Sequence, residues 1–297
     1  MKYFDDHRKP RLSELVDMND RKDVIDSIAE IFSYSFPNAD FSDVRSVFNH
    51  VGAMYDGKVS GYQACDINYH DFRHTEDVAL ATARMIDGAI LSGFEFSPDM
   101  VKIAIIAAVM HDVGYLKESG DNDGTGAKYT KTHVARSGDF MYDFFGKYNK
   151  KGTSETTRNM IDCTDLMKKP KDIPFKTESA KVLGMILGSA DLIAQMADRT
   201  YLEKLPHLYD EFVQGGIPAY SDAFDLLAKT AGFYKVQKAR LEDDLNSMYS
   251  FAGLHFSKRL GIDSDLYSEA IDSNFSYLEK VVAAGKEGYG KLLRRDI

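Results

Sequence analysis

The stretch NYHDFRHTEDV, residues 68–78, sets two histidines, His70 and His74, four residues apart, with an arginine between them and acids on both sides. On a helix such residues project from one face, one turn apart. By itself the pair suits a solvated face as well as it suits a metal or proton-transfer site. Asn68 and Asp71 are both plausible caps, which places His70 in the turn ahead of the helix. Four of the eight histidines, His70, His74, His111 and His133, fall in this part of the chain.

Two further polar intrusions interrupt apolar runs. AAVMHDV (Ala107 to Val113) ends an almost wholly apolar helix in the adjacent pair His111-Asp112. Burying an imidazole and a carboxylate there is costly unless they pair or bind a cation. GMILGSADLIAQM (Gly184 to Met196) places Asp191 in a helix that is otherwise small or apolar around it, as a metal ligand or a buried hydrogen-bonded group. His74, His111-Asp112 and Asp191 together make a two-histidine, two-carboxylate set drawn from three helices. Neutral imidazole with carboxylate suits zinc, iron or manganese, whereas magnesium prefers mainly oxygen.

The elements that must position these groups read as helices. Val24 to Phe36, Asp77 to Leu91 and Lys181 to Asp198 carry apolar residues at three- and four-residue steps, and Ser97-Pro98 reads as an N-cap followed by proline at the first helical position. Alternating strand patterns are scarce. The expectation is an all-α chain of ten or more helices, with short loops at Ser92 to Pro98, Ser119 to Lys128, Lys168 to Ser179 and Gln214 to Asp222. The stretch DNDG (Asp121 to Gly124) within the second loop is expected as a mobile rim. No repeat or linker divides the chain, so residues 1–297 are expected as one helical domain.

Composition narrows the function. The chain has 297 residues, 44% of them hydrophobic, and a formal net charge of −9. An acidic chain whose only basic clusters are Lys168-Lys169-Pro170-Lys171 and Arg294-Arg295 is not expected to bind a nucleic-acid polymer. The start, MKYFDDHRKP, does not read as a signal peptide, and the apolar run Ile103 to Met110 is too short to span a bilayer. Two cysteines, Cys65 and Cys163, in no CxxC pattern leave no thiolate zinc site and point to the cytoplasm. A small anionic substrate remains compatible if a metal supplies local positive charge.

The order His…His-Asp…Asp resembles the HD superfamily of metal-dependent phosphohydrolases. More closely, YHDFRHTEDV is similar to the Tyr-His-Asn-x-x-His motif of class I cyclic-nucleotide phosphodiesterases. The likeness continues through AAVMHDV, MIDCTDL (Met160 to Leu166) and KVLGMILGSADL (Lys181 to Leu192), and fades beyond EFVQGG and AGFYKV. It implies an HD catalytic core at about 66–236, with helical extensions at both ends. It implies His74, His111, Asp112 and Asp191 as ligands of one or two divalent metals, with Asp112 bridging. The expected ions are iron, manganese or zinc at the histidine-rich position and magnesium or manganese at the second. His70 would be the general acid, protonating the leaving oxygen while metal-activated water attacks. Asp165 and His133 fall where the family has polar groups lining the site. His133 would either support a ligand through a hydrogen bond or bind the second metal itself.

Three positions depart from the phosphodiesterase pattern. Asp71 stands where the motif has asparagine, and Tyr115 where a further histidine follows the HD pair. Phe233 matches the ring-clamping phenylalanine, but Thr230 stands in the place of the purine-reading glutamine and cannot make its bidentate amide contact. The expected function is therefore a metal-dependent phosphohydrolase acting on a small anionic phosphoester, with a diester of a nucleotide-like molecule preferred. The alternatives are a phosphomonoesterase of the same superfamily and a non-catalytic metal-binding sensor. HD proteins often dimerise, and a homodimer belongs among the expectations.

Overall fold

A computed structural model describes residues 9–146 and 151–295. Six of the helices start where a side chain serves the orphan amides of the first turn. Asp20, Asp71, Ser97, Thr177, Asp222 and Asp265 all accept a backbone hydrogen bond as N-caps. Ser97 does so ahead of Pro98, as the sequence predicts.

The described residues form thirteen α-helices. They are α1 (Leu12–Leu15), α2 (Arg21–Ser35), α3 (Ser42–Tyr55), α4 (Phe72–Leu91), α5 (Pro98–Met110), α6 (His133–Gly146) and α7 (Lys151–Ile161). They continue with α8 (Glu178–Ala197), α9 (Tyr201–Gln214), α10 (Ala223–Ala239), α11 (Phe251–Leu260), α12 (Leu266–Ala283) and α13 (Gly285–Gly288). Among the described residues, β pairing is limited to one isolated bridge between Tyr62 and Glu118. The chain is all-α.

At the centre is α4, which packs on α2, α5, α8 and α11. It is buried on nearly every side, with His74, Thr75, Glu76, Thr82, Arg84 and Asp87 buried alongside its apolar residues. A helix apolar all round belongs in a core; one that also buries six polar groups must find them partners. One apolar cluster runs from Val16 to Val281 and joins nearly all the long helices. By length and composition α8 is apolar enough to cross a membrane, but it lies mostly buried in this core.

Close backbone approaches need glycine at two points beside the site. A Cβ on Gly114 would fall 2.1 Å from the His133 carbonyl oxygen, so this glycine lets the start of α6 lie against the turn after α5. A Cβ on Gly188 would fall 2.5 Å from the Cys163 carbonyl oxygen, which seats α8 on the 162–164 turn just before Asp191.

The loop holding DNDG carries hydrogen bonds to its neighbours. The Asp121 carboxylate accepts from Tyr129 Oη at 2.6 Å and from Lys128, while its carbonyl accepts from Gln63 Nε2 at 2.6 Å. The glycine-rich composition suggests mobility; the acid at its start supplies the anchor.

Candidate metal centre

Three helices converge on one buried point. Near the start of α4, Asp71 turns its carboxylate back to accept the His74 amide at 2.9 Å. Aspartate and asparagine cap about equally well, so the departure from asparagine leaves the helix start intact. His111 caps the C-terminus of α5, and Asp112 follows it. Asp191 comes from the middle of α8.

His74 Nε2 lies 3.2 Å from Asp191 Oδ1 and 3.5 Å from Asp112 Oδ2. His111 Nε2 lies 3.2 Å from Asp112 Oδ2 and 3.7 Å from Asp191 Oδ1. Donor atoms on a shell with metal–ligand bonds of about 2.0–2.2 Å stand roughly 3.0–3.5 Å apart. His74, His111 and Asp112 are all nearly fully buried, and their donor atoms lie within 4.8 Å of one another.

Partner accounting supports a cation. His111 donates its Nδ1 proton to the Ala108 carbonyl at 2.8 Å, which leaves the Nε2 lone pair facing the cluster. His111 Nε2 and Asp112 Oδ2 are buried with no hydrogen-bond partner. Leaving such atoms unsatisfied costs about 1–3 kcal/mol each, more when charged. Burial alone would depress His111, but Asp112 and Asp191 outweigh it and hold it up to about 9. Burial would likewise raise Asp112, yet His111 and the neighbouring imidazoles hold it well below the usual carboxylate range. The two carboxylates thus attract positive charge, which a proton or a divalent cation would supply. The residues present fit such a cation, and the imidazole-carboxylate set is of the kind that takes zinc, iron or manganese.

Two more histidines adjoin the quartet. His133, the first residue of α6, donates Nδ1–H to the Thr130 carbonyl at 2.8 Å and brings Nε2 to 3.6 Å from Asp112 Oδ1. Asp112 therefore presents one oxygen to His74 and His111 and the other to His133. Burial holds the His133 imidazole below its ordinary pKa. The His70 ring centroid is 5.8 Å from that of His74. Tyr115 stacks against both outer rings, 4.6 Å from His70 and 4.3 Å from His133, and those two rings lie 6.1 Å from each other. At the position where the phosphodiesterase motif has a histidine, this chain has a phenol ring that packs against two others.

His70 is governed by Glu211, which the sequence did not reveal. Glu211 is buried on α9 and accepts from His70 Nδ1 at 2.7 Å and from the Tyr69 amide at 2.6 Å. Burial pulls His70 down, but the Glu211 carboxylate outweighs it and raises its pKa above the ordinary value. Nothing in LYDEF marks Glu211 apart from its neighbour Asp210; only the fold brings α9 beneath residues 69 and 70.

The remaining expected site residues face other work. The Asp165 carboxylate accepts the Met167 amide at 2.9 Å and lies 3.8 Å from Lys168 Nζ, and its carbonyl accepts from Arg240 at 2.9 Å. Among the described residues it makes no hydrogen bond or ion pair with the histidine cluster. Thr230 is buried, and its hydroxyl donates to the Leu226 carbonyl of its own helix at 2.8 Å. Phe233 stands 37% exposed on α10, a face open to a ligand or to solvent.

A protein-family model described as Npun_R2479-like matches residues 119–249. Over that stretch the chain is similar to that family; it contains His133, Asp191 and Glu211 but begins beyond the HD pair. No curated protein and no solved structure matches the chain.

Proposed function

We propose that this chain is a metal-dependent phosphohydrolase that cleaves a small anionic phosphoester, with His70 as the general acid. The observation that carries this reading is the pairing of two adjacent features. One is a buried quartet with orphaned ligand atoms, His111 Nε2 and Asp112 Oδ2. The other is a neighbouring histidine held toward its protonated form by a buried carboxylate at 2.7 Å. A purely structural metal site has no need of such a proton donor and is usually closed by four protein ligands.

His74, His111, Asp112 and Asp191 would hold one divalent cation, and Asp112 with His133 a second. When bound, such a cation supplies Lewis acidity toward phosphoryl oxygens and toward water. The chain's own groups do the rest. Glu211 accepts the hydrogen bond from Nδ1–H of His70, so the Nε2 proton is the one available to a departing alkoxide. Tyr115 holds that ring in plane by stacking. The carboxylates of Asp112 and Asp191 provide the negative charge that retains the cation. A proton donor matters most when the leaving group is a poor one, an alkoxide rather than a nitrophenolate. Reading of a purine edge is not part of this proposal, because the Thr230 hydroxyl is already committed to Leu226.

The test is metal analysis of the purified chain, followed by assay of bis(p-nitrophenyl) phosphate, p-nitrophenyl phosphate and a nucleotide panel with manganese. The expected outcome is a bound transition metal and turnover favouring diesters. Preferred turnover of monoesters would move the protein to the nucleotidase branch. A protein that holds metal but turns over nothing would be the sensor module. Absence of both metal and turnover would remove the reading altogether.

A further inference from the structure

A second unsatisfied group lies about a quarter turn around α4 from His74, at 100° per residue. Arg73, Asp77 and Arg84 share that face and line a cavity of about 800 Å³, closed by Ala197 and Asp198 at the end of α8 and by Tyr267 on α12. Arg84 is only 4% exposed. Its Nη1 donates to Tyr267 Oη at 3.0 Å, and its guanidinium lies 5.5 Å from the Phe256 ring centroid and 5.8 Å from that of Tyr267. Its Nε is buried with no partner. Among the described residues no carboxylate lies within ion-pair distance of it. A buried guanidinium without a counter-charge is expensive to keep.

Each acid in the same wall has a hydrogen-bond or ion-pair partner: Glu14 accepts the Arg11 amide at 2.8 Å and Asp17 the Asn19 amide at 3.0 Å. Asp198 pairs with Lys204 at 2.7 Å and accepts the Thr200 amide at 2.8 Å. Asp77 has Arg73 Nε at 3.5 Å, and Asp71 caps α4. Arg11 and Arg199, also on the lining, have no ion pair among the described residues. The lining holds five acids and five bases, and among its bases Arg84 is the nearly fully buried one with no ion pair among the described residues. A guanidinium bordered by aromatic rings and without an ion pair suits the oxygens of a phosphate or carboxylate.

We propose that the Arg84 cavity binds a small ligand through an oxyanion group, phosphate or carboxylate, at a site separate from the metal cluster. The site stands whether or not the metal centre is catalytic. The test is calorimetric titration of the full chain, stripped with chelator, using inorganic phosphate, pyrophosphate and citrate as probes. Saturable binding of at least one probe is expected, and the preferred probe separates phosphate from carboxylate chemistry. Asp112→Ala should bind it as well as wild type. Arg84→Met should weaken it by about tenfold or more, the scale of a lost charged hydrogen bond, and Arg84→Lys should weaken it too, since the charge stays but the fork goes. Ligand-free Arg84→Met should melt no lower than wild type, because it keeps an apolar stem and removes an unpaired buried charge. The proposal is overturned if no probe saturates, if either Arg84 variant binds undiminished, if Asp112→Ala loses binding, or if Arg84→Met melts well below wild type.

Discussion

Asp87, His255 and Arg259 form a buried cluster of histidine and carboxylate much like that of His74, His111, Asp112 and Asp191. In the first, His255 Nδ1 meets Asp87 Oδ2 at 2.8 Å, while Arg259 reaches Oδ1 through Nη2 at 2.8 Å and Oδ2 through Nε at 3.1 Å. Both oxygens are occupied, and the cluster pins α11 to α4. In the second, His111 Nε2 and Asp112 Oδ2 face each other without a hydrogen bond. Both clusters include α4 and lie largely buried, yet in one both carboxylate oxygens are hydrogen-bonded and in the other Asp112 Oδ2 is not. Residue type does not separate a structural cluster from a metal centre; the count of unmet partners does.

The sharpest way to break this contrast is to remove one carboxylate from each cluster. Asp112→Ala should lose the metal and all measurable phosphoester turnover, read by metal analysis and steady-state assay. Unchanged metal content would remove Asp112 from the ligand set. Next in size, His70→Ala should keep its metal but slow turnover of alkyl diesters by about 10²–10⁴-fold, and far less for p-nitrophenyl leaving groups. The pH profile refines this. Because Glu211 raises the His70 pKa, activity should fall as pH rises through that raised value. Glu211→Gln should move the alkaline fall to lower pH, and a profile that does not move would separate His70 from proton donation.

Asp87→Ala should leave metal content alone and cost about 3–5 kcal/mol of stability in denaturant unfolding, since it strands a buried partner. Burial raises Asp87, but His255 and Arg259 outweigh it and keep its pKa below the ordinary value. That contribution is complete above the unfolded carboxylate pKa and is lost as pH falls through the folded one, so wild type and variant should converge in acid. Loss of metal in Asp87→Ala would mean that the two clusters are not independent. The smallest effect belongs to Asp71→Asn, which keeps the N-cap and should shift stability by less than about 0.5 kcal/mol, whereas Asp71→Ala should cost about 1 kcal/mol. A large loss in Asp71→Asn would show that the charge, not the cap, matters at this departure from the phosphodiesterase motif.

Much of the centre was legible in the chain because its signals are local. The four-residue step of His70 and His74, the polar pair ending an apolar helix, and a lone aspartate in GSADL each break a pattern that a core helix otherwise keeps. The all-α class and the caps at Asp71 and Ser97 were legible for the same reason: helix periodicity and capping act within one or two turns. Asp165 and Thr230 were named by position in a motif, and the fold turns them to backbone carbonyls and amides nearby. Glu211 was invisible because an acid on α9 looks the same in sequence whether it meets solvent or a histidine 141 residues away.

The sequence by itself determined which residues would be too polar for their surroundings, since periodicity buries a position whatever occupies it. Only the tertiary structure decided which of those residues would find partners. Asp87 met a guanidinium, Asp112 met three imidazoles, and Arg84 met a phenol but no acid. The reason is that partner choice depends on contacts between helices far apart in the chain, where no local rule reaches.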